Sequence, residues 1–150
     1  MKARVKDLYP AITGRLKLEF VGRDGAALFT VEEPNLVVDT GRAMMAEEMG
    51  ARVNQVAVGT DGSASVPSSE APLTDQFAKA LADVTYPDDR TVEYSFVIGA
   101  DDANELGVIR EFGLVYFDDP DYTLFARRAF ETGFEKTDQV QINGTWTITF

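Results

Sequence analysis

Cysteine and histidine are both absent from this chain of 150 residues. Without cysteine the protein can build no disulfide framework, no thiolate zinc site and no cysteine nucleophile. Without histidine it lacks the commonest general base and the commonest transition-metal ligand. Long apolar runs are missing too, so we expect no membrane span, and residues 1–14 lack the apolar stretch of a signal peptide. These absences remove most of the usual chemistry of metal and nucleophile sites.

The charge of the chain is acidic overall and unevenly distributed. The formal net charge is −11, which argues against nucleic acid or an anionic membrane as a partner. Residues 1–17 carry five basic side chains and one acidic one, whereas residues 18–150 carry 9 basic and 24 acidic ones. One interpretation is a solvated surface. The other is a basic arm, residues 1–13, that docks on an acidic surface such as that of a neighbouring copy.

Alternation of polar and apolar residues predicts antiparallel strands along most of the chain. Residues 15–21 and 26–33 alternate on either side of an Asp24-Gly25 turn, and Pro34 is expected to end the second strand. Further strands are predicted at residues 53–58, 91–98, 108–117, 122–128 and 139–150. The last of these places Trp146 with other apolar residues on one face and threonines on the other. Residues 73–82 fit either a helix or a strand.

One short helix is predicted at about residues 40–49. Asp39 or Thr40 can cap its first turn, and its apolar face is rich in alanine and methionine. Gly50 stands where a left-handed residue would end the helix. A helix this short is marginal in water, so it must pack on something else. We therefore expect a mostly β protein, an antiparallel β-sandwich with this helix packed on it, forming a single domain over residues 14–150.

Two acidic loops hold the only candidate reactive groups. The first contains Asp101, Asp102 and Asn104, and the second contains Asp118, Asp119 and Asp121. Such loops can collect oxygen ligands for calcium, but neither matches an EF-hand, and turn residues that hydrogen-bond their own backbone are the favoured interpretation. We accordingly assign no catalytic, cofactor-binding or metal-binding residue and predict a protein that is not an enzyme.

Three other features are interpreted as structural. The run from Gly59 to Gly62 is taken as a turn, because it lacks the lysine and the helix start of a phosphate loop. Arg110 and Glu111, in the middle of a strand, are taken as a structural pair or a subunit contact. Trp146 alternates with core positions and is taken as part of the core.

Taken in order, several segments carry a family resemblance. They are NLVVDTGRAMMAEEM, VNQVAVGTDG, LTDQFAKAL, GVIREFGLVYFD, TLFARRAF and EKTDQVQINGTWTITF, spread over residues 35–150. This set resembles the small tail-fibre, tail-collar and related virion structural proteins of tailed bacteriophages. The chain departs from that pattern at Asp61, where glycine is common, at Gln76-Phe77, where Glu-Val is usual, and at the inserted Val115-Tyr116.

The resemblance implies a non-enzymatic structural subunit of a virion, assembled in the host cytoplasm and without cofactors. Its expected place is the tail, at a fibre base, collar or baseplate, where it would contact other virion proteins and copies of itself. A capsid decoration or head-fibre protein is the alternative. A receptor-binding or glycan-degrading tail domain is a third hypothesis. Nucleic acid and membrane are not expected partners.

Overall fold

A computed structural model of the chain describes residue 12 and residues 14–150. The chain divides into two compact units, one ending at Arg42 and the other running from Ala43 to Phe150. The predicted arm, residues 1–13, lies outside the described residues apart from Ile12. The prediction of a single domain over residues 14–150 stays a prediction. Within the described part, no helix is both long and apolar enough to cross a membrane.

The first unit contains a two-stranded antiparallel hairpin. Strand β1 is Gly14–Val21 and strand β2 is Ala27–Asn35. The tight turn uses Gly25 at φ 84°, a backbone conformation that glycine adopts without steric cost. Contrary to the sequence prediction, β2 continues through Pro34, which pairs with Arg15. Proline is tolerated there because β2 is an edge strand and need not donate on its open side.

The helix, α1, spans Asp39–Arg52 and is longer than predicted. Gly50 does not end it, since the positive-φ residues do not include Gly50 and the helix continues for two more residues. The glycine instead leaves room for a neighbouring side chain, because a Cβ at position 50 would fall on the hydroxyl end of Tyr86. Tyr94 donates its hydroxyl to the Met49 carbonyl oxygen at 2.9 Å, and burial raises the pKa of Tyr94 to about 12, so this donor stays protonated.

The second unit contains seven strands in two antiparallel sheets. They are β3 Gln55–Gly59, β4 Phe77–Ala80, β5 Asp83–Asp88, β6 Thr91–Ile98, β7 Val108–Asp118, β8 Asp121–Glu135 and β9 Ile142–Thr149. One sheet has the order β4-β3-β7-β8 and the other β5-β6-β9. A short 3-10 turn, Asn104–Leu106, precedes β7.

The core of the second unit lies between the two sheets. Val56 and Val58 of β3 pack in one cluster with Phe96 and Ile98 of β6. A second cluster joins Ala46 of α1 to strands of both sheets. This arrangement is mostly β, antiparallel and layered, with one helix packed on the strands. It confirms the predicted fold class.

Three sequence predictions are sharpened by the tertiary structure. Within the ambiguous residues 73–82, Phe77–Ala80 form strand β4 by pairing with β3, and no part of the segment is helical. Strand β8 runs on to Glu135, well beyond the predicted end at residue 128, because its irregular pairing with β7 continues to that point. Strand β9 is shorter than predicted, although its alternation of half-buried and exposed residues is as expected.

Two glycines, Gly144 and Gly50, offer a matched test of how tightly their surroundings are packed. Substituting Gly144→Ala would place a Cβ on the ring of Phe96, which is 6 % exposed and cannot move aside. We expect this change to lower the free energy of unfolding by about 2 kcal/mol through overpacking. Gly50→Ala meets Tyr86, which is half exposed and can rotate away, and it also gains helix propensity. Urea denaturation of both variants measures the contrast, and equal losses would contradict it.

Candidate functional site

Glu111 on β7 and Arg127 on β8 form a buried ion pair. The Arg127 Nε donates to Glu111 Oε2 at 2.8 Å, and the two side chains are 7 % and 2 % exposed respectively. Neighbouring strands place them together, since Gly113 pairs with Arg127 two residues along from Glu111. A charge removed from water is stable only if its remaining hydrogen-bonding capacity is also satisfied.

The other oxygen of the glutamate holds the loop between β3 and β4. Glu111 Oε1 accepts hydrogen bonds from the backbone N–H of Asp61 at 3.2 Å and of Thr74 at 2.9 Å. These two residues stand at the two ends of the loop, so one carboxylate ties both ends to the sheet. Gly59 permits the approach, because a Cβ there would meet Glu111 and the Thr74 carbonyl oxygen.

The guanidinium group holds the same loop from its other side. Arg127 Nη1 donates to the Ser63 carbonyl oxygen at 2.9 Å and to the Ser65 hydroxyl at 3.1 Å, while Nη2 donates to the Asp61 carbonyl oxygen at 3.0 Å. All three nitrogens of the group therefore have acceptors. The predicted turn at residues 59–62 is the start of this loop, and its Asp61 accepts from the backbone N–H of Ser63, a bond that lowers the pKa of that carboxyl.

A cavity of about 220 Å³ lies beside the ion pair under this loop. Its polar lining includes Asp61, Ser63, Ser69 and Glu70 together with the pair itself. Since both oxygens of Glu111 and all three nitrogens of Arg127 already have partners, the buried charges in this cavity serve the loop.

A buried lysine organises the first of the two acidic loops. Lys136 is 2 % exposed, and its ammonium group donates to three oxygens: the Ala100 carbonyl at 3.1 Å, Asn104 Oδ1 at 2.7 Å and the Thr137 carbonyl at 2.9 Å. An ammonium has three N–H donors, so this set satisfies it completely. The side-chain oxygen of Asn104, a candidate calcium ligand in the sequence, thus accepts a hydrogen bond from the Lys136 ammonium group.

Asp102 belongs to the same loop but faces a different lysine. Its Oδ2 accepts from Lys79 Nζ at 2.6 Å and from the backbone N–H of Gly99 at 2.8 Å. The hydrogen bond from Lys79, and after it the one from Gly99, lowers the pKa of Asp102 from its ordinary value of 3.8. Asp101, next to it, is exposed to solvent.

The second acidic loop lies at the turn between β7 and β8, where Asp118 pairs with Asp121. Both residues and Asp119 are exposed. Nowhere in the described residues do three or more acidic side chains gather closely enough to hold one metal ion. The two acidic loops therefore do not come together in the structure, and each is a separate turn.

Sequence reasoning recognised Glu111 as structural but placed it with the wrong partner. Arg110 does not pair with it, because its Nη1 donates to the Glu131 carbonyl oxygen at 2.6 Å. Lys136 was missed altogether, since the segment around it has no periodicity. A charged residue beside the apolar run of β7 was the available signal for Glu111, but the pairing of β7 with β8 was needed to identify Arg127.

No protein-family model, curated protein or solved structure matches this chain. The resemblance to phage virion proteins therefore depends on the ordered segments alone. Four of those segments contain the groups described above: Gly59 and Asp61, Glu111, Arg127, and Lys136.

Proposed function

We propose that the chain is a non-enzymatic structural subunit of a bacteriophage virion, associated with the tail at a fibre base, collar or baseplate. It would act through contacts with other virion proteins and with copies of itself. The order of the resembling segments supports this role. So does the use of the buried charges, because Glu111, Arg127 and Lys136 hold loops in place through hydrogen bonds.

The observation that carries the proposal is the exposed apolar face of the β1–β2 hairpin. On this face Phe20 and Phe29 stack with their ring centroids 4.3 Å apart, yet each is about half exposed. Leu16 and Leu18 lie on the same face of the hairpin and are 50 % and 41 % exposed. A two-stranded sheet is marginally stable in water unless its apolar face packs on another element. A partner protein that covers this face would supply the missing layer.

The location of the protein in a purified particle tests the proposal. We expect mass spectrometry of fractionated virions to recover the chain with the tail, in a copy number set by tail symmetry. Recovery with the capsid shell would favour a decoration protein instead. Turnover of host surface polysaccharide by the purified chain, abolished by single carboxylate substitutions, would overturn the non-enzymatic role.

Substitutions on the two faces of the hairpin test whether the apolar face is the contact. We expect Phe29→Asp to reduce incorporation into particles by about tenfold or more, because it buries a charge in the contact. Thr30→Asp is the matched control, since its side chain lies on the opposite face of the same strand. Circular dichroism of both purified chains verifies folding. Equal incorporation of the two variants would show that this face is not the contact.

A further inference from the structure

Strand β9 is an edge of the three-stranded sheet and lacks the charged residues, prolines and register shifts that commonly prevent edge pairing. It lies at the end of the order β5-β6-β9, and its eight residues contain no charged residue and no proline. Its pairing with β6 runs from Ile142 to Thr149 without a register shift. A regular, uncharged edge of this length is a template for another strand.

The other edges of the described sheets each carry such a device. Strand β4 has only four residues and includes Lys79. Strand β5 contains Pro87 and an irregular pairing with β6, and β8 carries charged residues and an irregular pairing with β7. The hairpin strands are charged along their length, and β2 contains Pro34. The contrast singles out β9 as the edge that is left open to pairing.

The register shows which backbone groups of β9 are free. The N–H of Phe150 donates to the Arg90 carbonyl oxygen at 2.9 Å, so the even-numbered residues of β9 exchange hydrogen bonds with β6. The alternate residues therefore direct their N–H and C=O groups to the open edge. They are Asn143, Thr145, Thr147 and Thr149, all of them exposed. The hydroxyl contact of Thr149 with Thr91, at 3.2 Å, fits this assignment, because non-hydrogen-bonded pairs bring side chains closer.

Charge indicates what kind of strand can approach. From residue 43 to residue 150 the chain carries 7 basic and 19 acidic residues, a balance of −12. Two copies would repel each other across most of this surface. Residues 141–150 include no charged side chain, so β9 is a place where two copies can meet without opposing side-chain carboxylates.

We propose that β9 pairs antiparallel with β9 of a second copy, forming one six-stranded sheet across a two-fold axis beside Trp146. In this register Asn143 faces Thr149 of the second copy and Thr145 faces its Thr147. All four free N–H groups and all four free C=O groups of each strand then find partners. A register centred on Thr145 would instead pair Thr149 with Gln141, which lies before β9.

This inference deepens the proposed assembly role by naming one contact, and in that sense it rests on that role. Its test uses the isolated protein in solution. Failure of β9 pairing would leave the virion location unaffected, and a different virion location would leave the pairing unaffected.

Proline substitution at the open edge tests the pairing. We expect sedimentation velocity to show a concentration-dependent dimer of the unaltered chain, because a contact made mainly by two strands is small. Thr147→Pro should weaken association by about tenfold or more, since it removes one edge N–H from each copy. It removes no hydrogen bond to β6, so the monomer should stay folded. Thr147→Val keeps the N–H and should still dimerise.

Paired charges test the register and do not depend on the fold of the proline variant. Substituting Thr145→Glu together with Thr147→Lys places opposite charges across the two-fold axis, and Lys at position 147 also lies beside Glu93 of its own chain. This double variant should dimerise. Thr145→Lys together with Thr147→Lys places like charges across the axis and should associate about tenfold or more weakly.

Three results would overturn the proposal. The first is a chain that stays monomeric at every concentration. The second is a dimer that neither Thr147→Pro nor the double lysine variant weakens. The third is hydrogen exchange showing that the amides of residues 143, 145, 147 and 149 are protected in the monomer, since the edge would then be covered within one chain.

Discussion

Replacing Glu111 with glutamine is expected to lower the free energy of unfolding by about 3 kcal/mol, because it leaves the Arg127 guanidinium buried without its counter-ion. The glutamine carbonyl oxygen can still accept both backbone N–H groups, but the amide nitrogen would then face the arginine as a donor. Urea denaturation followed by circular dichroism measures the loss.

Arg110→Ala is the matched control for that experiment. It removes a charge from the adjacent position, but the side chain makes a single hydrogen bond to a carbonyl oxygen and does not contact the buried pair through any described bond. We expect it to cost about 1 kcal/mol or less. A cost for Glu111→Gln as small as that of the control would show that the buried pair contributes little to the fold.

Replacing Lys136 with alanine is expected to cost about 3 kcal/mol and to loosen residues 99–104. The change removes three hydrogen bonds at once and leaves the Ala100 and Thr137 carbonyls and Asn104 Oδ1 facing an empty space. Because the vacated space is lined by oxygens, a small alkylammonium ion should restore part of the lost stability. Thermal unfolding with and without propylammonium measures the rescue.

Two controls make the rescue informative. Propanol has the size of the ammonium ion without its charge, so it should restore much less stability. Lys79→Met removes a lysine whose side chain is 42 % exposed, and it should cost less than Lys136→Ala. Equal rescue by propanol would mean that the site needs volume rather than a cation.

Each of the two buried cations holds a loop that connects two strands. Arg127 holds the loop that leads from β3 to β4, and Lys136 holds the loop that leads from β6 to β7. A subunit that is contacted from outside benefits from rigid loops, because little conformational entropy is then lost on assembly. In this way the hydrogen bonds of Arg127 and Lys136 would favour the assembly role that we propose.

Local sequence patterns were sufficient to predict the strands, the turn and the helix that depend on residues close together in the chain. The alternation in residues 91–98 and in β9, the Asp24-Gly25 turn and the helix near residue 40 all follow from side-chain periodicity and backbone preference. The errors also have local causes. Gly50 looked like a helix end because glycine favours that position, whereas the structure uses it to admit Tyr86.

Composition and periodicity predicted a mostly β chain with one helix, and they pointed to no cluster of reactive side chains. The tertiary structure alone decided that Glu111 pairs with Arg127 rather than Arg110, that the Lys136 ammonium fills the loop at Asn104, and that β9 is an open edge. The reason is physical: each of these depends on which strands are neighbours and in what register. Contacts between residues far apart in the chain set that arrangement, and the periodicity within one strand does not identify its neighbours.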